Sequence, residues 1–153
     1  MDADLINPFI HATKNVLGTM AFVQCRPGSP YLKKDDIATG DVTGIIGITG
    51  DANGTIAVTF DEGSILTIVS NMFGEKMTKL NHETSDAVGE LVNMISGQAR
   101  RELEELGRVF DAAIPSVVSG KNHSIVHYTD GPKIAIPFTI DGGAFTIEVC
   151  LET

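Results

Sequence analysis

Apolar and polar residues follow two rhythms along this chain, and the switches between them mark out helices and hairpins. Phe9, Ile10, Thr13, Val16, Leu17 and Met20 keep helical spacing, so a first helix is expected to run to about Phe22, with Asn7 as its cap and Pro8 in its first position. The segment Arg26 to Tyr31, RPGSPY, reads as a loop that leads into a weak strand near Tyr31 to Lys34. Val42 to Thr49 and Thr55 to Phe60 are rich in Ile, Val and Thr, and the Gly50-Asp51-Ala52-Asn53-Gly54 between them has turn chemistry, which predicts a β-hairpin.

Helical period returns between Asp61 and Gly74, where Ile65, Leu66, Val69, Met72 and Phe73 share a side behind an acidic first turn and ahead of a glycine stop. A longer third helix is predicted from about His82 to Leu106, capped by Asn81 or Thr84 and ended by Gly107. Pro115 then forbids further helix, Val117 and Val118 suggest an extended segment, and a strand is expected around Ser124 to Tyr128. Ile134, Ile136, Phe138 and Ile140 alternate, as do Phe145, Ile147, Val149 and Leu151 after the turn Asp141-Gly142-Gly143, giving a second hairpin with one buried face. Pro137 puts its strand at an edge or at a bulge.

The fold class that follows is α/β of the α+β type, with helices packed on one antiparallel-rich sheet. Its two parts each pair a helix with a hairpin, as a diverged duplication would. At 153 residues and 42% hydrophobic content the chain suits a single domain spanning residues 1–153.

The third helix carries two stripes. At about 100° per residue, Val88, Leu91, Val92, Ile95, Ala99, Leu103 and Leu106 gather on a core face, while Asp86, Glu90, Asn93, Gly97 and Arg100 fall on the opposite side. Glu90 and Asn93 stand one turn apart, so one docking object meets both. A helical glycine costs about 1 kcal/mol relative to alanine; Gly97 is either a tolerated defect or a place where a partner surface comes close.

A net charge of −9 argues against binding nucleic acid through its phosphates. No apolar run is long enough to cross a bilayer, and the opening MDADLINPF lacks the basic and hydrophobic regions of a signal peptide, so a cytoplasmic protein is expected. Cys25 and Cys150 then read as buried thiols.

Phosphate-cradling glycine loops, paired cysteines, HExxH and GxSxG are absent from the sequence. His123 and His127, four apart on an expected strand, would stand about 13 Å apart and read as surface or sheet histidines. His11 and His82 are isolated, and the Asp51, Asn53, Gly54 cluster lacks the terminal acid of a calcium loop. What remains is Glu90 and Asn93, with Asp86 four residues before and Pro115 twenty-two after Asn93.

That arrangement, D-x3-E-x2-N followed after twenty-one residues by P, resembles the active-site signature of the CheC, CheX and FliY phosphatases of bacterial chemotaxis. The resemblance extends to the glycine-bracketed GIIGITG of Gly44 to Gly50 and the IPF of Ile136 to Phe138. Some members carry the signature on two pseudo-symmetric helices. Here the first helix offers only Ala12 and Asn15 where the third has Glu90 and Asn93, so the chain is CheX-like, with one such helix per subunit and an expected homodimer.

The resemblance implies hydrolysis of the phospho-aspartate of a CheY-type response regulator. Glu90 and Asn93 would be the catalytic pair, the carboxamide holding the attacking water and the carboxylate pairing with the regulator's lysine. Asp86 and Gly97 would be partner-binding positions, and Pro115 structural. It implies no cofactor of the chain's own, Mg²⁺ being supplied by the regulator. The alternative is a non-catalytic module that binds a regulator, or a structural dimeric domain, on the same helix.

Overall fold

The chain threads one antiparallel sheet twice by the same route. In the computed structural model residues 3–152 are described; Met1 and Asp2, which begin the opening stretch considered above, and Thr153 lie outside the described residues. The first pass is helix α1 (Ala3–Met20), an edge strand in two pieces, β1 (Arg26–Pro27) and β2 (Tyr31–Leu32), and a hairpin of β3 (Val42–Gly50) and β4 (Asn53–Phe60). Helix α2 (Glu62–Phe73) leads into the second pass: α3 (His82–Glu105), β5 (Phe110–Ala112) and β6 (Ser116–Ser119), then β7 (Lys133–Ile140) and β8 (Gly143–Glu152).

The hairpins meet at the centre, β4 against β8, and each broken edge strand borders the hairpin of the other pass. Thus β1 and β2 pair with β7, while β5 and β6 pair with β3. The expected duplication is visible as helix, broken strand and hairpin repeated, with edge strands exchanged.

Alternation along the strands sends Ile46, Ile56, Val58, Phe60, Ile136, Phe138, Phe145, Ile147 and Val149 to the face covered by all three helices. Each such side chain contributes roughly 1.5–3 kcal/mol when fully buried, which holds the helices down more firmly than propensity does. Helix α3 packs tightly on the sheet at Gly44, where a Cβ would stand 2.5 Å from Val92 Cγ2. The opposite face carries a smaller cluster, Ala38, Ile45, Ala57 and Ile125, roofed by the loops that precede β3 and β7.

Several expectations shift. Helix α1 begins at Ala3, so Pro8 lies inside it. The lost hydrogen bond costs about 3 kcal/mol, and burial of Leu5 and Ile6 at 4% and 7% exposure anchors the turn that precedes the proline. The RPGSPY loop contains β1, the first hairpin turns tightly through Asp51 and Ala52, and β5 had no signal of its own length. The strand expected around Ser124 to Tyr128 is a loop with one bridge, Ile37 to Ser124. Leu106 is 55% exposed rather than core, because it is the C-cap and the chain swings away at Gly107, whose φ is 86°. Pro137 sits in β7 opposite the gap between β1 and β2, where no backbone donor is required of it.

Candidate functional site

Helix α3 begins on a reciprocal cap. Asn81 Oδ1 accepts from the backbone N–H groups of Glu83 and Thr84 at 3.0 and 3.2 Å, and Thr84 Oγ1 accepts from the Asn81 N–H at 2.7 Å. At the other end the N–H of Arg108 reaches back to the Leu103 carbonyl at 2.9 Å and that of Gly107 to Glu104 at 2.9 Å, closing the last turn. Between these ends Val88, Leu91, Val92, Ile95, Ala99 and Leu103 are buried, as the core stripe predicts, and Ala87 is buried beside them.

Both flanks of the helix are also occupied. On one, Asn15 Nδ2 donates to Gln98 Oε1 at 2.7 Å, and His11 Nδ1 lies 2.8 Å from Glu102 Oε1. On the other, Val117 Cγ2 and Pro115 Cγ approach to 3.6 and 3.9 Å of the point where Gly89 would carry a Cβ. At about 100° per residue the face left open between these flanks is the row Asp86, Glu90, Asn93, Gly97 and Arg100.

Asp86, Glu90 and Asn93 are exposed, and Gly97 and Arg100 half-buried. Among the described residues neither the Glu90 carboxylate nor the Asn93 carboxamide is engaged by another group. One turn of helix separates them, about 5–6 Å between Cβ atoms. The pair presents an anion that only accepts hydrogen bonds beside an amide that both donates and accepts. Arg100 turns inward, Nε donating to Ser96 Oγ at 3.3 Å. Gly97 has space around it, the nearest atom to a Cβ there being Arg100 Nη2 at 3.9 Å, so no intramolecular neighbour requires the glycine. The corresponding residues of α1 are used differently: Ala12 is buried at 3% exposure and Asn15 is bound to Gln98.

The histidines stand apart from this row. His11 pairs with Glu102, and His123 Nδ1 lies 2.6 Å from the Gly120 carbonyl. His127 is neither a surface nor a sheet residue: its side chain, 3% exposed, lies in a loop with Nε2 3.0 Å from Glu148 Oε1. Glu148, 1% exposed, also accepts from Lys33 Nζ at 2.7 Å, and Lys33 donates onward to the Ile37 carbonyl at 2.5 Å. Burial pushes the Glu148 carboxyl up, but the hydrogen bonds from His127 and Lys33 and the Lys33 charge outweigh it and hold the group below the usual range. This buried triad went unread in the sequence. Its one signal was a glutamate set inside the strand TIEVC. It ties both roofing loops to β8 on the face away from α3. Cys25 and Cys150 are both buried and free. Among the described residues no three His, Cys, Asp or Glu side chains cluster as a metal site, and no helix is long and apolar enough to cross a membrane.

Three helices on one face of an eight-stranded antiparallel sheet, with an exposed acid–amide row on α3, define a CheC-like architecture. A CheC-like superfamily protein from Shewanella sp. PV-4 superposes with a TM-score of 0.93 at 48% identity, all of each chain being covered. The family model for the chemotaxis phosphatase CheX matches residues 42–139, and the chain belongs to that family. A curated relative, the CheY-P phosphatase CheX of Thermotoga maritima, is 28% identical over 141 residues, spanning 92% of this chain and 90% of its own. CheX of Borrelia burgdorferi, solved in complex with CheY, BeF₃ and Mg²⁺, superposes with a TM-score of 0.83 at 26% identity, covering 99% of this chain and 100% of its own.

Proposed function

We propose that this protein hydrolyses the aspartyl phosphate of a CheY-type response regulator, with α3 as the element that enters the regulator's site. The observation that carries the reading is the unengaged, exposed Glu90 and Asn93 on a helix held at both ends and both flanks. Membership of the CheX family supports it, as does the Borrelia burgdorferi relative's complex with CheY.

Phosphoryl transfer calls for positioning and charge neutralisation more than for a strong acid or base. The regulator brings the phospho-aspartate, Mg²⁺ and a lysine, so this chain supplies no cofactor of its own. Asn93 holds a water in line with the scissile bond, its carbonyl oxygen accepting from the water while the amide donates to the phosphoryl group. Glu90 pairs with the regulator's lysine. Truncating one partner of such a charge pair typically costs 2–5 kcal/mol of binding. Asp86, one turn nearer the helix start, faces the partner; Gly97 lets the regulator's loops approach. A homodimer and a cytoplasmic setting, where such regulators are phosphorylated, complete the reading.

The test is the decay of a phosphorylated candidate regulator with and without the protein. Wild type is expected to accelerate decay. Asn93→Ala is expected to lose about 100-fold in rate, the scale of a misplaced reacting group, while still binding a BeF₃-loaded regulator, and Glu90→Ala to lose chiefly binding. Binding by wild type with unchanged decay across the host's regulators would replace the enzyme reading with that of a regulator-binding module.

A further inference from the structure

The edge strand beside α3 is bulged at one defined place. Ala112 pairs with Ile48 and Ser116 with Ile45, so three residues, 113–115, stand opposite two, 46–47. The other edge has the same irregularity: Pro27 pairs with Phe138 and Tyr31 with Ala135, setting residues 28–30 opposite 136–137. In both, a proline ends the bulge, Pro30 in one and Pro115 in the other. Bulges bend the strand and re-aim a side chain. The residue so placed is Ser29 in the first and Ile114 in the second.

Ile114 is 89% exposed, the highest value among the exposed large apolar side chains of the described residues. The fold does not ask for an apolar residue here, since the equivalent bulge is built with serine. Nor is the segment loose. Pro115 restricts the preceding residue to extended conformations, the Ala113 N–H donates to the Gly47 carbonyl at 2.9 Å, and Pro115 and Val117 rest beside Gly89, one turn from Asn93. An exposed, β-branched side chain is thereby carried on an ordered backbone, one residue before the proline that packs beside Gly89 on the flank of the acid–amide row.

We propose that Ile114 is an apolar docking residue for the response regulator, seated by the bulge so that its side chain is covered when α3 engages the phosphorylated site. The inference rests on the phosphatase reading above. The partner it fits is a receiver domain with an apolar side chain bordering the phospho-aspartate. Glu90 and Asn93 supply charge and water positioning, and Ile114 supplies affinity by burial without touching the reacting atoms.

The experiment compares wild type, Ile114→Ser and Ile114→Leu against a phosphorylated CheY-type regulator, with titration of the BeF₃-loaded regulator and the solution mass alongside. Covering most of an isoleucine corresponds to about a tenfold change in an equilibrium constant. Ile114→Ser is expected to raise KM and the dissociation constant about tenfold with kcat within twofold and thermal stability unchanged, and Ile114→Leu to restore most of the loss. Wild type that accelerates decay, together with Ile114→Ser that matches it in KM and binding, overturns the docking role alone. Wild type that neither binds nor accelerates decay overturns the phosphatase reading and the docking role with it. A smaller solution mass for Ile114→Ser assigns the residue to contacts between copies and overturns the proposal. Weaker regulator binding by Ile114→Ser, with no acceleration by wild type, supports the docking role and removes the catalytic reading.

Discussion

The Pro115 ring stands 3.9 Å from the point where Gly89 would carry a Cβ, so the bulged edge strand leans on α3 at the turn that presents Glu90 and Asn93. That spacing is ordinary van der Waals contact, as is the 3.6 Å to Val117 Cγ2. Alanine therefore fits, and it removes the entropic cost of a helical glycine. Gly89→Ala is expected to stabilise the protein by about 0.5–1 kcal/mol, measured by urea unfolding, with the dephosphorylation rate preserved because the methyl group points at the bulge and not at the open face.

Gly97 makes the contrasting case. Its surroundings also admit a methyl group, and Gly97→Ala is expected to gain a similar ~0.5–1 kcal/mol. The added group projects from the open row, however, so catalytic efficiency toward the regulator is expected to fall. Measuring unfolding and kcat/KM on the same variant separates the two interpretations of this glycine: stabilisation with an unchanged rate would make it a tolerated defect.

The third helix, its caps and both of its faces were legible because a 3.6 period over more than twenty residues is hard to mistake, and Asn81 and Gly107 punctuate it with side-chain and backbone chemistry. The hairpins were legible from strict alternation. What escaped were the short edge pieces β1 and β5, two and three residues long, whose existence depends on the neighbouring strand and not on their own pattern. Pro8 misled in the same way: its local preference for a helix start lost to the burial of Leu5 and Ile6 in the turn before it. The Lys33, His127 and Glu148 triad joins Lys33 to residues 94 and 115 positions further along the chain, and no period announces such a pairing. The role proposed for Glu90 and Asn93 rests on the family signature; their spacing alone fits any solvated helical face.

The reciprocal cap of α3 gives a further expectation. Asn81→Ala leaves the Glu83 and Thr84 N–H groups without their shared acceptor and is expected to cost about 1 kcal/mol. Because the cap lies more than two turns from Asn93, the loss should appear in thermal unfolding and in amide exchange of the first helical turn, with kcat at saturating regulator nearly unchanged.

The Glu148 triad predicts how stability depends on acid. In the folded chain burial raises this carboxyl, while the hydrogen bonds from His127 and Lys33 and the Lys33 charge lower it by more, leaving it below the value it has when unfolded. Above the ordinary glutamate range, near pH 4.3, the group is ionised in both states and its full contribution to stability is present. As pH falls through that range the unfolded chain takes up a proton that the folded chain refuses, and the contribution declines until the folded carboxyl is itself protonated. Glu148→Gln removes this titration but leaves the Lys33 ammonium, 5% exposed, with only the solvent-exposed Asp35 carboxylate at 3.9 Å as counter-charge, a loss of up to about 3–5 kcal/mol for a broken buried pair. Urea unfolding from pH 7 to pH 3 should therefore show wild type losing its advantage over Glu148→Gln as acid is added, the two curves converging. A constant gap across that range would mean that the Glu148 carboxyl titrates alike in both states and would overturn the acid dependence argued from the triad.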